Sequence, residues 1–374
     1  MKSKSILNFI CLCLLLDLCF SIPSSGQSAL SINDQGYFEM PGLDVIVFND
    51  YYPGGHQSGI TIIQNGERVA ANGDIRLGGA ADVGNKNVDK AAGTIETRLN
   101  YPRIPLQYSL QVKAVGRKIL ITADLDQPLP EEWVGKAWFQ IELFPAILFG
   151  KSWNMDGKTG IFPTDSYSPM TGTGVEPYAE GRLLSVAPDV EKQRLYIRAL
   201  KGNLQLVDGR TDTKAGWFVV RTAVPPDQTK GAIEWEIEAV PATDYIYNPV
   251  IHISQVGYLP NQTKKAVIEF DKRTKSFGTI DVMKINADGK KSKVLSAPAV
   301  LWGKYLRYNY AICDFSKVQD PGMYMIQYGG VNSNLFTFVE DIYERHGRQT
   351  TLEYFLPLQL CQLLKQSILL PQRV

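Results

Sequence analysis

Acid–base or nucleophilic chemistry needs carboxylates, imidazoles or thiols at spacings that bring them together. The sequence offers three carboxylate pairs: Glu131 with Glu132, Asp124 with Asp126, and Glu234 with Glu236. Acids one or two positions apart in strands or turns read as solvated faces rather than as an acid and a base flanking a substrate. The stretch Asn154-Met-Asp-Gly-Lys-Thr-Gly160 begins like a calcium loop but lacks the repeated oxygen ligands and the closing Glu, so a turn is expected there. The histidines, His56, His252 and His346, are too dispersed for a metal site argued from spacing. No glycine-rich phosphate loop and no serine-hydrolase elbow occurs. The expectation is therefore no catalytic residue, no metal and no cofactor assignable from the sequence, with a site assembled from distant residues left open. One local candidate for substrate binding is Trp153, because a flat indole face flanked by Asn154, Asp156 and Lys158 suits a pyranose ring.

The elements that would hold such residues are strands. A chain of 374 residues exceeds one ordinary core, so two or three domains are expected. Lys and Arg number 39 against 38 Asp and Glu, a balance that provides no footprint for nucleic acid and no polybasic membrane patch. With 44% hydrophobic residues, 32 Gly and 21 Pro, the chain reads as all-β with many turns. Short apolar or alternating runs recur from Val45 onward, and Asn65-Gly66 and Asn72-Gly73 both read as hairpin turns. Further strands are expected at 106–114, 118–124, 137–143, 194–199, 204–206, 217–222 and 232–238. These make a large β-sandwich over 30–246. A connector between Val240 and Pro249 leads to runs at 250–255, 265–270, 279–284, 305–314, 322–328 and 334–339. That spacing predicts an immunoglobulin-like sandwich over 247–340.

The two ends differ from this pattern. Lys2 and Lys4, the apolar stretch Ile6–Phe20 and the small residues before Gly26 have the order of a secretory signal, so 1–26 is expected to be cleaved and the protein secreted, periplasmic or at the cell surface. Asp17 interrupts the stretch, which is short for a membrane span, and no other run is long enough for one. Lipid anchoring at Cys19 stays open, although Asp17-Leu18 poorly matches the small residues such sites prefer. Beyond the signal only Cys313 and Cys361 remain, allowing at most one bridge. Asn261-Gln-Thr263 has the glycosylation triplet. Over 341–374, apolar residues at 352, 355, 356, 360, 363 and 364 follow a helical period. Such a helix needs cover, so self-association through it is expected.

Two motifs carry a resemblance. Ile251-His-Ile-Ser-Gln-Val-Gly-Tyr-Leu-Pro260 with Lys264–Phe270, and Cys313-Asp-Phe-Ser316 with Asp320-Pro-Gly-Met-Tyr324, resemble the immunoglobulin-like module preceding the catalytic barrel of family 9 glycoside hydrolases, the cellulase and endoglucanase group. Gly257 would permit close backbone approach and Tyr258 would pack at the sandwich edge. Thr350–Cys361 resembles the first barrel helix. Asp44–Asn49, Gly54-Gly-His56 and the segment around Leu143-Phe-Pro resemble an extra N-terminal β domain of multidomain members. The likeness fails after roughly Leu363, which reads as a truncation, a frame change or a gene-model error. The resemblance implies inverting hydrolysis of β-glucans or related plant polysaccharides by carboxylates lying beyond that point, so this chain is expected to be inactive alone. A stand-alone carbohydrate-binding or scaffold protein is the alternative, and an unrelated catalytic site in the first sandwich a third reading.

Overall fold

The computed structural model describes residues 29–48, 59–77, 81–166, 168–171, 174–212, 216–242 and 244–344. The signal region, His56, His346, Cys361 and the C-terminal helical period lie outside them. The chain divides into two units, Met1–Tyr245 and Ile246–Val374, and the described residues of both form antiparallel sheets with almost no helix.

The first unit is a sandwich of two nine-stranded sheets. Strands Glu67–Arg76, Trp138–Leu143 and Phe218–Ala223 lie in the middle of one sheet. Leu106–Val115, Lys118–Leu125 and Ile233–Ala239 lie in the middle of the other. Alternation explains the packing. In Ile233–Ala239 each odd-numbered residue is buried, while Glu234, Glu236 and Glu238 face the other way. Trp235 lies fully buried edge-on to Phe139 at 4.8 Å, and its indole N–H donates to Thr222 Oγ1 at 3.0 Å. The polar end of the indole is thus satisfied inside the core.

Asn65-Gly66 is a hairpin turn, with φ of 51° and 80° at the two residues. Asn72-Gly73 is not. It lies inside the ten-residue strand Glu67–Arg76, where the pairing register with Ile60–Gln64 shifts. Asn72 keeps the positive φ that its type tolerates, and its amide donates to Glu142 Oε2 at 2.7 Å. A dipeptide suited to a turn here makes an irregularity within a continuous strand.

The second unit is a smaller sandwich. Its four-stranded sheet runs Val250–His252, Lys265–Asp271, Tyr308–Asp314, Val300–Tyr305; the facing five-stranded sheet centres on Thr279–Ile285 and Gly322–Tyr328. Ile268, Phe270, Cys313, Phe315, Tyr324 and Phe338 meet in its core. Burial pushes the Cys313 thiol up to about 11, so it stays a protonated, inert packing group. The Gln255-Val-Gly-Tyr258 motif has a clear physical content. Gly257 has φ of 109°, and a Cβ there would stand 2.6 Å from the Thr337 carbonyl oxygen. Tyr258 is buried edge-on to Phe315, Phe336 and Phe338, accepts the Ser254 N–H at 2.8 Å and donates to the Lys265 carbonyl at 3.2 Å. Replacing Gly257 with Ala is expected to cost about 2 kcal/mol, since it combines left-handed strain with a backbone clash. A thermal melt checks this, and an unchanged midpoint would remove the close-approach argument.

The expected strand over 305–314 proves to be two. Val300–Tyr305 and Tyr308–Asp314 pair through a turn at Leu306, which has φ of 50°. This hairpin places an aromatic cluster on the outer face of the four-stranded sheet.

Candidate functional site

Trp153 does not present the face that sugar stacking requires. It lies in the strand Ser152–Met155, is 5% exposed and belongs to the first unit's core. Its ring stacks on Tyr178 at 6.4 Å and 16°, and Gly160 covers it so closely that a Cβ would come within 2.2 Å of the indole. The following Met155-Asp156-Gly157 segment is the turn of the hairpin to Lys158–Ile161. Asp156 accepts backbone N–H groups of Arg182 and Leu183, and Asn154 Oδ1 accepts the Gly157 N–H at 3.0 Å. The oxygens of this apparent calcium loop are occupied by protein donors.

The paired carboxylates are likewise engaged across strands or exposed in a turn. Glu236 meets Lys118 at 2.9 Å, Glu234 meets Lys201 at 2.6 Å, and Asp126 pairs with Arg98. Asp124 accepts the Gly231 N–H at 2.7 Å and Lys230 Nζ at 3.0 Å. Partial burial pushes its carboxyl up, but these two donors outweigh that and hold it below the usual carboxylate range. It is therefore ionised and unsuited to protonating a leaving group at neutral pH. Glu131 and Glu132 are exposed in a single helical turn. Among the described residues no cluster of three or more His, Cys, Asp or Glu is placed to hold a metal. No helix among them is long and apolar enough to cross a membrane.

The arrangement with most chemical content lies on the second unit's outer face. Strand parity sends Ala311 and Cys313 into the core and Tyr308 and Tyr310 outward, beside Glu269 of the neighbouring strand. Glu269 is a shared acceptor. Tyr247 donates to its Oε1 at 2.7 Å and Tyr310 to its Oε2 at 2.8 Å, with His252 Nε2 3.8 Å from the latter. Burial first, then the Glu269 carboxylate, hold the Tyr310 hydroxyl far above its ordinary value, so it remains a donor. Tyr247 also packs on Tyr308 at 4.6 Å, and its backbone N–H is held by Asp271. On the edge strand a register shift between Leu301 and Gly303 turns Trp302 outward, edge-on to Tyr310 at 6.4 Å and 85°. Trp302 is 64% exposed and Tyr305, three residues on, 59%. Nothing in the sequence marks Trp302 as exposed. Its only local signal is the apolar triplet Val300-Leu301-Trp302, which reads equally well as a core strand.

An immunoglobulin-like sandwich with an aromatic outer face is the class this unit defines. Residues 247–333 match the family model of the cellulase N-terminal ig-like domain. Among solved structures, a metagenome-derived glycoside hydrolase family 9 endoglucanase is 23% identical, over 24% of this chain and 18% of its own, with a TM-score of 0.20. A Bacteroides ovatus GH9 protein is 22% identical, over 25% of this chain and 16% of its own, with a TM-score of 0.22. The matched region thus spans less than a fifth of either relative. No curated protein matches the chain.

Proposed function

We propose that this chain supplies the exported, non-catalytic N-terminal β modules of a family 9 glycoside hydrolase acting on β-glucan or a related plant polysaccharide, and that it hydrolyses nothing by itself. The match of residues 247–333 to the cellulase N-terminal ig-like domain carries the reading. Inactivity is supported by the engagement of Asp124, Asp126, Glu234 and Glu236 with neighbouring cations, which ties these four carboxylates to protein partners rather than leaving them as the acid and base that glycoside hydrolysis needs. Export rests on the charge, apolar and small-residue order of the first 26 residues.

The test is hydrolysis. Purified chain incubated with barley β-glucan or carboxymethyl cellulose is expected to release no reducing sugar above a heat-killed control. Release that survives purification and is abolished by Asp124→Asn would place a working site within the sandwiches and overturn the proposal.

A further inference from the structure

We propose that the outer face of the second unit's four-stranded sheet is a carbohydrate platform, with Trp302 and Tyr305 as stacking surfaces and Glu269 and His252 as hydroxyl partners. This rests on the preceding section only for the identity of the polysaccharide. A sugar ring needs a flat apolar support beneath its C–H face and fixed polar groups at its rim. Trp302 and Tyr305 provide support on one edge strand, and the register shift beside Trp302 puts two residues three positions apart on the same side. At strand rise their separation is about 10 Å, enough for about two pyranose rings in line. A Cβ at Gly303 would meet nothing within 4 Å beyond its own chain neighbours, so no other segment covers the strand at that point.

The polar rim is built before any ligand arrives. A carboxylate offers about four acceptor sites, and the Tyr247 and Tyr310 hydroxyls occupy one on each Glu269 oxygen, orienting the group while leaving acceptor capacity for a sugar hydroxyl. The same Tyr310 ring backs the Trp302 indole, so the stacking surface and the acceptor share one support. That support stands on sheet rather than loop, which limits the conformational entropy lost on binding. Polar groups set among the aromatics distinguish the face from the apolar-centred patches of protein interfaces, and the match to a cellulase-associated module agrees with a glycan occupant.

The test is affinity electrophoresis of the purified chain through gels containing barley β-glucan, xylan or starch, with titration calorimetry on whichever polysaccharide retards it. Retardation by β-glucan is expected, with Kd raised at least about tenfold by Trp302→Ala, less by Trp302→Phe, and unchanged by Leu335→Ala, an exposed apolar residue outside the platform. Circular dichroism confirms folding, and Tyr305→Ala provides a second platform variant should Trp302→Ala fail to fold. Trp302-dependent retardation by xylan or starch but not β-glucan would uphold the platform and sink the β-glucan part of the proposed function. Retardation that ignores Trp302 and Tyr305 would overturn the platform. So would no retardation by any of the three, including the case in which Trp302→Ala instead dissolves a self-associated species in sedimentation, which would make the face a protein interface. Neither of these outcomes touches the hydrolysis test.

Discussion

Arg210→Ala is expected to lower unfolding free energy by about 3–5 kcal/mol, the cost of leaving a buried charge without its partner. Asp208 is fully buried and Arg210 nearly so. The guanidinium donates from Nε to Oδ1 and from Nη2 to Oδ2, both at 2.8 Å, and the Arg210 backbone N–H adds a third bond to the carboxylate. Tyr178 donates a fourth at 2.9 Å. Burial pushes the Asp208 carboxyl up, but Arg210 and Tyr178 outweigh that and hold it below its ordinary value. The ion pair therefore stabilises above the unfolded pKa, and its contribution is lost as pH falls through the lower folded value. Arg210 does more than neutralise. It lies over Phe218 at 4.5 Å and donates to the carbonyls of Pro163, Thr164 and Asp165, tying that segment to the sheet. Arg210→Lys should recover only part of the loss, because an ammonium cannot reproduce the two-pronged geometry. Adding Asp208→Asn to Arg210→Ala should restore some stability by removing the orphaned charge. Urea denaturation of the three variants checks this. A loss below about 1 kcal/mol for Arg210→Ala would mean that water reaches the carboxylate and that the pair behaves as a surface one.

The same local device recurs in the second unit. Arg273 grips Asp271 through Nε, Nη2 and its backbone N–H, each at 2.9 Å, and these bonds overcome burial to hold the carboxyl at about 2. Asp-x-Arg is visible in the sequence, yet its meaning depends on burial, which a dipeptide spacing does not reveal. The strands were legible where one face is apolar. Runs such as Lys118–Leu125 and Ile233–Ala239 alternate strictly, because one side packs in the core and the other meets water. Strand Asp82–Asp89 escaped, since only Val83 and Val88 give it an apolar side and neither is fully buried. The sugar platform escaped for the opposite reason. Trp153 and Trp302 both stand in short polar-and-apolar contexts, and which one is covered depends on Tyr178 and Gly160 in one case and on an edge position in the other. Aromatic residue type was readable; exposure is a tertiary property.

Asp74→Asn is expected to stabilise the protein at neutral pH while leaving it unchanged in acid. Asp74 lies in the first unit's core, where its Oδ1 accepts the Tyr108 hydroxyl at 2.6 Å and the Ile75 N–H at 2.8 Å. Burial pushes its carboxyl from 3.8 up to about 6; the Tyr108 bond, the charge of Arg76 and the Ile75 bond pull the other way but do not win. The two tyrosines beside it add no opposing charge, since burial first and then the Asp74 charge hold the hydroxyls of Tyr101 and Tyr108 well above their ordinary value. A folded pKa above the unfolded one means that the neutral acid is the form the fold prefers. Its contribution is complete below about pH 3.8 and is lost as pH rises through about 6. Converted at 1.36 kcal/mol per pH unit, the gap gives a penalty of about 3 kcal/mol once the group is ionised. Asparagine keeps an acceptor oxygen for both bonds and never ionises, so the penalty should vanish in the variant. Denaturation of the two proteins from pH 4 to 8 would therefore give curves that coincide at the acid end and separate through pH 6. Parallel curves would mean that Asp74 does not change protonation in that window, and that Arg76 or entering water keeps it charged throughout.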